Sequence, residues 1–481
     1  MNEGCVLPKK YLAVALLLFA VSNSSLAQTI QQLVHQPPDG AGVGFLLTDG
    51  TAMVQGNGES DFYKLTPDNT GSYVNGTWTK LANLPAGYVP DAFASAVLAD
   101  GRVVITGGEY LSGAFTLTNL GAIYDPKANT WTNLLPPTPW KYIGDSPSVV
   151  LPNGDYLVGD KLTKSIAVLN PKTLKWTVLS GTGKNDFNAE EGYTLLADGT
   201  VLTMDVKSAP NSERFSFATK KWTTAGSTIV DLHSPSPFGC IHFGPNGSLC
   251  YYPPGEIGPA ILRPDGTVFA TGSYTSTGSG AGHTAIYDTK TGTWTVGPDF
   301  PNGDNAGDDF AVLLPSGDVL VEGSLGSYVW DGLSLNPTLA TFGSLLVLPT
   351  GQVLVNGSEV YNPTGTYQAA WAPTITSVSS SVTRGSTYVI SGTQFNGLSQ
   401  AAAFGDEYET ATNYPLVRIT NNSTSHVFYA RTHDHSTMGV ATGSATVSTS
   451  FDVPSTMETG ASSLEVVANG IPSAAVSITV N

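Results

Sequence analysis

Charge is scarce in this chain, and positive charge scarcer. Asp, Glu, Lys and Arg make up 12% of the 481 residues, about half the usual share. Lys and Arg number 21 against 38 Asp and Glu, a formal net charge of −17. Nucleic acid is thereby excluded as a partner, because binding it rests on neutralising phosphates with basic side chains. Cysteine is nearly absent, at three residues, and without a CxxC pair a dithiol redox or metal role has no support. The longest apolar run, Leu12 to Val21, falls well short of the roughly 20 residues a spanning helix needs, so membrane insertion is not expected. No Gly-rich phosphate cradle and no nucleophile elbow with a supporting His and Asp occurs, so no organic cofactor is expected.

The start of the chain reads as an address. Lys9 and Lys10 precede the apolar run, and polar Ser22 to Ser25 with the small-residue Ser25-Leu26-Ala27 follow it. This is the layout of a secretory signal peptide over residues 1–27, and it implies a secreted or periplasmic protein. In an oxidising compartment Cys240 and Cys250, close together in a Pro/Gly-rich stretch, are expected to form a local disulfide that pins a loop.

What is abundant is turn and strand chemistry, with 53 Gly and 31 Pro. One unit recurs seven times: an apolar run, a two-residue turn and a β-branched run. The turns are Asp49-Gly50, Asp100-Gly101, Asn153-Gly154, Asp198-Gly199, Asp265-Gly266, Ser316-Gly317 and Thr350-Gly351. Each unit predicts two antiparallel strands, the first apolar throughout and so buried on both faces. Downstream comes a second signature, Ile123-Tyr124-Asp125-Pro126 leading to Trp131 and Ile286-Tyr287-Asp288 leading to Trp294, with weaker versions ending at Trp78, Trp176 and Trp222. These supply strands three and four, and four strands per unit make a propeller blade. The stretch from Asp231 to Glu256 is too long for an ordinary connection between blades. The ring could be closed by the segment after Gln28 or by Tyr367 to Trp371.

As a set, the Gly107-Gly108 pair, the Tyr-Asp turns and the spaced tryptophans resemble the kelch repeat, in which such aromatics pack between sheets. From Ala372-Pro373 the rhythm changes to short alternating strands ending in SAAVSITVN, a pattern that matches an immunoglobulin-like sandwich. The expected fold is all-β: a signal peptide over 1–27, a seven-bladed kelch propeller over 28–371 and an Ig-like domain of the early-set variety over 372–481. This layout is similar to galactose oxidase and glyoxal oxidase, without the N-terminal discoidin-like domain of the former. The resemblance implies a copper held by two tyrosines and two histidines, one tyrosine cross-linked to cysteine. The matching positions here offer no cysteine, no histidine and no Tyr-His pair, so copper is the less favoured metal.

In a propeller the residues leading into the innermost strands face one shared axial site. Here those lead-ins are acidic: Asp91, Asp145, Glu190 with Glu191, and Asp308 with Asp309. Arg431-Thr432-His433-Asp434-His435 resembles the family's C-terminal loop, which implies that His433 reaches the axis, although Ser436-Thr437-Met438-Gly439 departs from the family's pattern. A His-x-His beside an Asp can clamp a metal, since alternate strand positions share a face. The expected site is therefore a divalent metal, zinc, manganese or calcium, held by His433 or His435 with Asp91, Asp145, Glu190 and Asp308. Around it, Glu191, Asp309, Trp140 and Tyr142 are expected to meet ligand. Two functions fit: a binding protein for an extracellular carbohydrate or cell-surface ligand, or an enzyme with an altered metal site, oxidising an alcohol or aldehyde or acting as a metal-assisted hydrolase or lyase.

Overall fold

The computed structural model describes residues 28–234, 239–242, 248–251, 255–273, 281–339 and 341–481. The signal peptide expected over 1–27 and residues 235–238, 243–247 and 252–254 of the Asp231 to Glu256 excursion lie outside the described residues. Among those described there is no α-helix, and no helix is long and apolar enough to cross a membrane.

Seven antiparallel sheets form the blades, six of four strands and one, blade six, of four strands joined by a fifth, Ala402–Ala403. Their innermost strands are Gly44–Leu46, Ala94–Val97, Ser148–Val150, Thr194–Leu195, Ala260–Leu262, Ala311–Leu313 and Leu345–Val347. All seven are buried throughout, as strands wedged between neighbouring sheets must be. The outermost strands, such as Thr77–Lys80 and Thr130–Asn133, turn most residues to solvent. The tryptophans of these outer strands join blade to blade. Trp131 Nε1 donates to Ala82 O at 3.0 Å, Trp176 Nε1 to Leu135 O at 2.7 Å and Trp294 Nε1 to Ser212 Oγ at 2.8 Å. The Trp131 ring also packs on Phe62 of the preceding blade, with centroids 5.3 Å apart.

The turns differ from the expected two-residue form. In blade one Gly50 N donates to Leu47 O, and Leu47 N to Thr51 O. Only the glycine has positive φ, 75°, so three residues form the loop, as in a type I turn followed by a left-handed residue. Asp49 is there for its carboxylate, which accepts the Thr51 N–H at 3.1 Å.

Ring closure falls to the N-terminal segment. Thr29–Gln32 pairs antiparallel with Glu359–Asn362 and becomes the outer strand of blade seven. Residues Ala369–Trp371 form a short 3₁₀ turn instead.

Apart from Ala402–Ala403, the strands from Thr374–Ser377 to Val476–Val480 form one nine-stranded sheet. It bends over its own core of Val382, Ile390, Val417, Phe451, Leu464 and Ile478. This domain sits on the hairpin-turn face of the propeller. Arg431 Nη2 donates to Asp100 O at 2.9 Å and Met438 N to Pro152 O at 3.0 Å, while a Cβ added to Gly50 would fall 2.4 Å from the Tyr429 ring.

One hairpin of that domain runs through the propeller. It rises along blade six, where Leu313 N donates to Ala401 O and Ala402–Ala403 pairs with Ala311–Val312. It turns at Gly405, beside Gly192 and Ile257. It descends past blade two, where Tyr408 N donates to Phe93 O and Ser95 Oγ to Glu409 O, and ends with the Tyr414 hydroxyl on Leu46 O. The channel is thereby filled, and the tip, Gly405 to Tyr408, emerges on the face away from the C-terminal domain.

Candidate functional site

Two kinds of backbone position open on that face: lead-ins to the innermost strands and exits from the second strands, which run antiparallel to them. The lead-ins deliver Asp91, Asp145, Glu190, Glu256 and Asp308. The exits deliver Glu109, just after Val103–Thr106, and Lys161, just after Tyr156–Gly159. The channel hairpin adds Asp406, Glu407 and Tyr408 from below.

Lys161 is the centre of this group. Its side chain is 3% exposed. The ammonium donates to Asp145 Oδ2, lies 2.9 Å from Glu190 Oε1 and 3.9 Å from Glu109 Oε1. Burial alone would lower its pKa, but Asp145 and Glu190 more than reverse this and hold it well above the usual lysine range. Opposing this one cation are seven carboxyl groups: Glu109, Asp145, Glu190, Glu256, Asp308, Asp406 and Glu407. Burial is the largest influence on six of these, raising Asp145, Asp406, Glu407, Glu109, Glu256 and Asp308, and their neighbours' charges add to it. Glu256 is pushed up to about 9.

Asp145, Glu190 and Asp406 each bring a carboxylate oxygen within 4.8 Å of the others. Asp145 Oδ1 and both oxygens of Asp406 are buried without an N–H or hydroxyl donor, Asp406 lying within hydrogen-bond reach of the Glu407 carboxyl. Buried polar atoms are ordinarily satisfied, so this constellation is built for a guest that accepts lone pairs. At the rim, the Tyr408 hydroxyl donates to Asp91 Oδ1 and accepts from Ala92 N at 2.8 Å.

The structure brings together Asp91, Asp145, Glu190 and Asp308 as expected, and separates the rest. His433 and His435 stand at the other end of the inner strands. His435 N donates to Ala99 O, next to the Asp100 turn, whereas Asp91 leads into the same strand. Eight residues at about 3.3 Å each put these ends about 26 Å apart. His433 Nδ1 meets Asp434 at 2.8 Å. His435 is buried, bonded through Nδ1 to Thr449 Oγ1 at 2.8 Å and stacked on Tyr414, with its pKa lowered to about 3 by burial. The expected clamp therefore lies away from the axis, with His433 held between Asp434 and Asp452, and the loop that reaches the axis is Gly405–Tyr408.

Glu191 and Asp309 are corrected for another reason. Each follows a residue that faces the axis from a left-handed turn, φ 56° at Glu190 and 55° at Asp308, and the turn swings the next side chain away from the axis. Glu191 turns into the wall of blade four, where its Oε2 accepts from Lys184 Nζ at 2.6 Å. Asp309 turns into blade six, beside Asp304 and Glu322. Trp140 is 8% exposed within the core rather than offered to a ligand. Tyr142 is half-buried against Leu117 and Leu162. Cys240 and Cys250 face one another in the register of the hairpin Gly239–His242 with Ser248–Tyr251. Opposed antiparallel residues have Cα atoms about 4.5–5.5 Å apart, inside the span of about 4.4–6.8 Å that a disulfide bridges.

Reading sequence alone missed Glu109, Lys161, Glu256 and the hairpin tip. The second-strand exits were countable, since antiparallel strands return to the face they left. Only Asp406-Glu407 carried no positional signal.

No known family profile matches the chain. Over 288 residues it is 25% identical to Kelch-like protein terF of Aspergillus terreus, a match that covers 56% of each protein. That likeness agrees with the seven blades, hairpin turns and interblade tryptophans already in place. The fold is a kelch-type propeller. Among solved structures, a fungal alcohol oxidase of the AA5 family, in complex with copper, covers 95% of the chain at 15% identity and a TM-score of 0.48. Virginiamycin B lyase from Staphylococcus aureus covers 69% at 13% identity and a TM-score of 0.44. The copper that the galactose-oxidase resemblance implies does not fit this kelch propeller. The groups gathered around Lys161 at its mouth are carboxylates and Tyr408, where copper favours nitrogen and sulfur donors, and His233, beside Ser234 on the segment leading to Glu256, is paired with Asp231.

Proposed function

We propose that this protein is an extracytoplasmic binding propeller whose axial mouth takes up a hard divalent cation, calcium or manganese, and through it a hydroxyl-rich ligand of the glycan class. The observation that carries this reading is the convergence of Asp145, Glu190 and Asp406 with three buried oxygens that have no N–H or hydroxyl donor. An all-oxygen donor set suits calcium or manganese and disfavours zinc once His433 and His435 are elsewhere. With Lys161 as the one cation among them, the Asp145 and Asp406 carboxyls either hold protons, as their raised pKa values imply, or carry charge whose uncompensated burial costs several kcal/mol. A divalent cation would take the place of those protons.

Calcium titration by calorimetry on the mature protein, followed by a glycan array read in calcium and in chelator, tests the proposal. We expect about one equivalent of calcium at the axis, lost in Asp406→Asn, and glycan binding that disappears in chelator. No heat with calcium or manganese, or glycan binding indifferent to chelator, overturns it. A second reading has one specific support. Asp308 is hydrogen-bonded to Glu256 and pushed up by burial and then by the Glu256 charge, while Glu256 is pushed up by burial and then by the Glu190 charge, which is the protonation state a general acid needs. Turnover of a glycan abolished by Glu256→Gln but not by Asp406→Asn favours a hydrolase or lyase over a binder.

A further inference from the structure

A second group of carboxylates lies away from the axis, in the wall of blade four. Asp186 belongs to the loop that enters the blade, Glu191 to the inner-strand lead-in, and Asp205 follows the second strand, Val201–Met204. All three are buried, Glu191 completely. Each spends one oxygen on a fixed donor. Asp186 Oδ2 accepts Ser208 N at 2.7 Å, Asp205 Oδ2 accepts Asn185 Nδ2 at 2.9 Å, and Glu191 Oε2 accepts Lys184 Nζ at 2.6 Å and Thr203 Oγ1 at 3.0 Å. Each leaves the other oxygen, Asp186 Oδ1, Asp205 Oδ1 and Glu191 Oε1, buried with no N–H or hydroxyl donor, the Glu191 and Asp186 carboxyls lying within hydrogen-bond reach of each other. One oxygen from each carboxylate lies within 4.8 Å of the others, a span that calcium, with bonds of about 2.3–2.6 Å, can bridge.

The neighbouring cation does not fill this place. Lys184 is 0% exposed and engaged by Glu191, by Glu213 Oε2 at 3.2 Å, by Asp186 Oδ1 at 3.7 Å and by the Trp222 ring at 4.9 Å. Glu213 is itself a further acid, its Oε1 accepting Asn185 N at 2.7 Å. Four carboxylates therefore meet one ammonium, and the three oxygens without such a donor are oriented by donors on the far side of each group, as outer-shell contacts orient metal ligands.

We propose that Asp186, Glu191 and Asp205 hold a structural calcium ion, distinct from the axial cation and independent of that reading. Such an ion staples the loop entering blade four to the sheet behind it. Because Glu190 and Glu191 are adjacent and point to opposite sides, it also fixes the segment that presents Glu190 to the axis.

The test uses the whole mature chain, produced in calcium-containing medium, desalted and assayed for metal content. Asp205→Asn is expected to lower bound calcium by about one equivalent, both alone and in an Asp406→Asn background. Terbium exchanged into the protein is expected to luminesce through Trp222, and Asp406→Asn to leave that emission intact. Failure of the axial reading alone would show as an Asp406→Asn protein with unchanged metal content and an Asp205→Asn protein with less. Should Asp205→Asn not fold, Trp222→Phe must remove the sensitised emission while keeping the metal. Calcium content unchanged by Asp205→Asn, or no terbium emission through Trp222, overturns the proposal; the carboxyls would then share a proton.

Discussion

Replacing Lys161 by Met should have opposite consequences in chelator and in calcium. Methionine keeps most of the stem's packing and removes only the charge. The ammonium it deletes lies 2.9 Å from Glu190 Oε1 and is hydrogen-bonded to Asp145, with all three side chains under a tenth exposed. Breaking a buried pair by deleting one partner costs about 3–5 kcal/mol, a large part of a total stability of about 5–15 kcal/mol. In chelator, then, the urea midpoint should fall sharply. Calcium reverses the account. An ion on Asp145, Glu190 and Asp406 sits about 4–5 Å from the ammonium, where repulsion between charges of two and one is about 2 kcal/mol in water and about 7 kcal/mol at an effective dielectric of about 20. Removing it should tighten calcium binding by at least about thirtyfold. Urea unfolding in both solutions, with calcium calorimetry on wild type and variant, makes the comparison. Equal destabilisation with and without calcium, together with unchanged or weaker binding, would refute the axial cation site.

Glu322 offers a pH test away from both proposed ions. It is buried with Oε1 unpartnered, and burial, then the Asp309 charge, push its pKa up to about 9. The folded state thus keeps a proton that the unfolded chain has lost, so stability falls as pH rises from about 4.5 toward 9. Glu322→Gln has no proton to lose, and its advantage in urea midpoint over wild type should grow from near zero at about pH 4.5 to about 3 kcal/mol at pH 7; a gap that does not change with pH refutes this. Deleting residues 28–33 removes the outer strand of blade seven and bares the Glu359–Asn362 edge. Lower stability and concentration-dependent association in gel filtration are expected, and a variant that stays monomeric with wild-type stability would contradict the closing role.

The architecture was legible because it is written locally. Seven repeats each carry their own turn and their own apolar strand, and no long-range knowledge is needed to count them. The axial acids at Asp91, Asp145, Glu190 and Asp308 were legible for the same reason, as fixed offsets from those strands. What failed depends on which segment of another domain meets the propeller. His433 and Asp406 both belong to short polar stretches, and only packing on the turn face decides that one docks at Asp100 while the other passes through the ring. Turn geometry decided the remaining errors: Glu191 and Asp309 are one residue from the axis in sequence, but the left-handed Glu190 and Asp308 before them turn their side chains away from it.

The hairpin that fills the channel also sets an order of assembly. Residues 398–414 occupy the space around which the blades pack, while the ring is sealed by a contact between Thr29 and Asn362, so neither end of the chain can be spared until the other has been made. Contacts this distant in sequence are slow to form. The propeller therefore matures only after the whole chain has emerged, with its two halves locked on a common axle, and a protease that cuts the hairpin tip should loosen the blades without touching any of them.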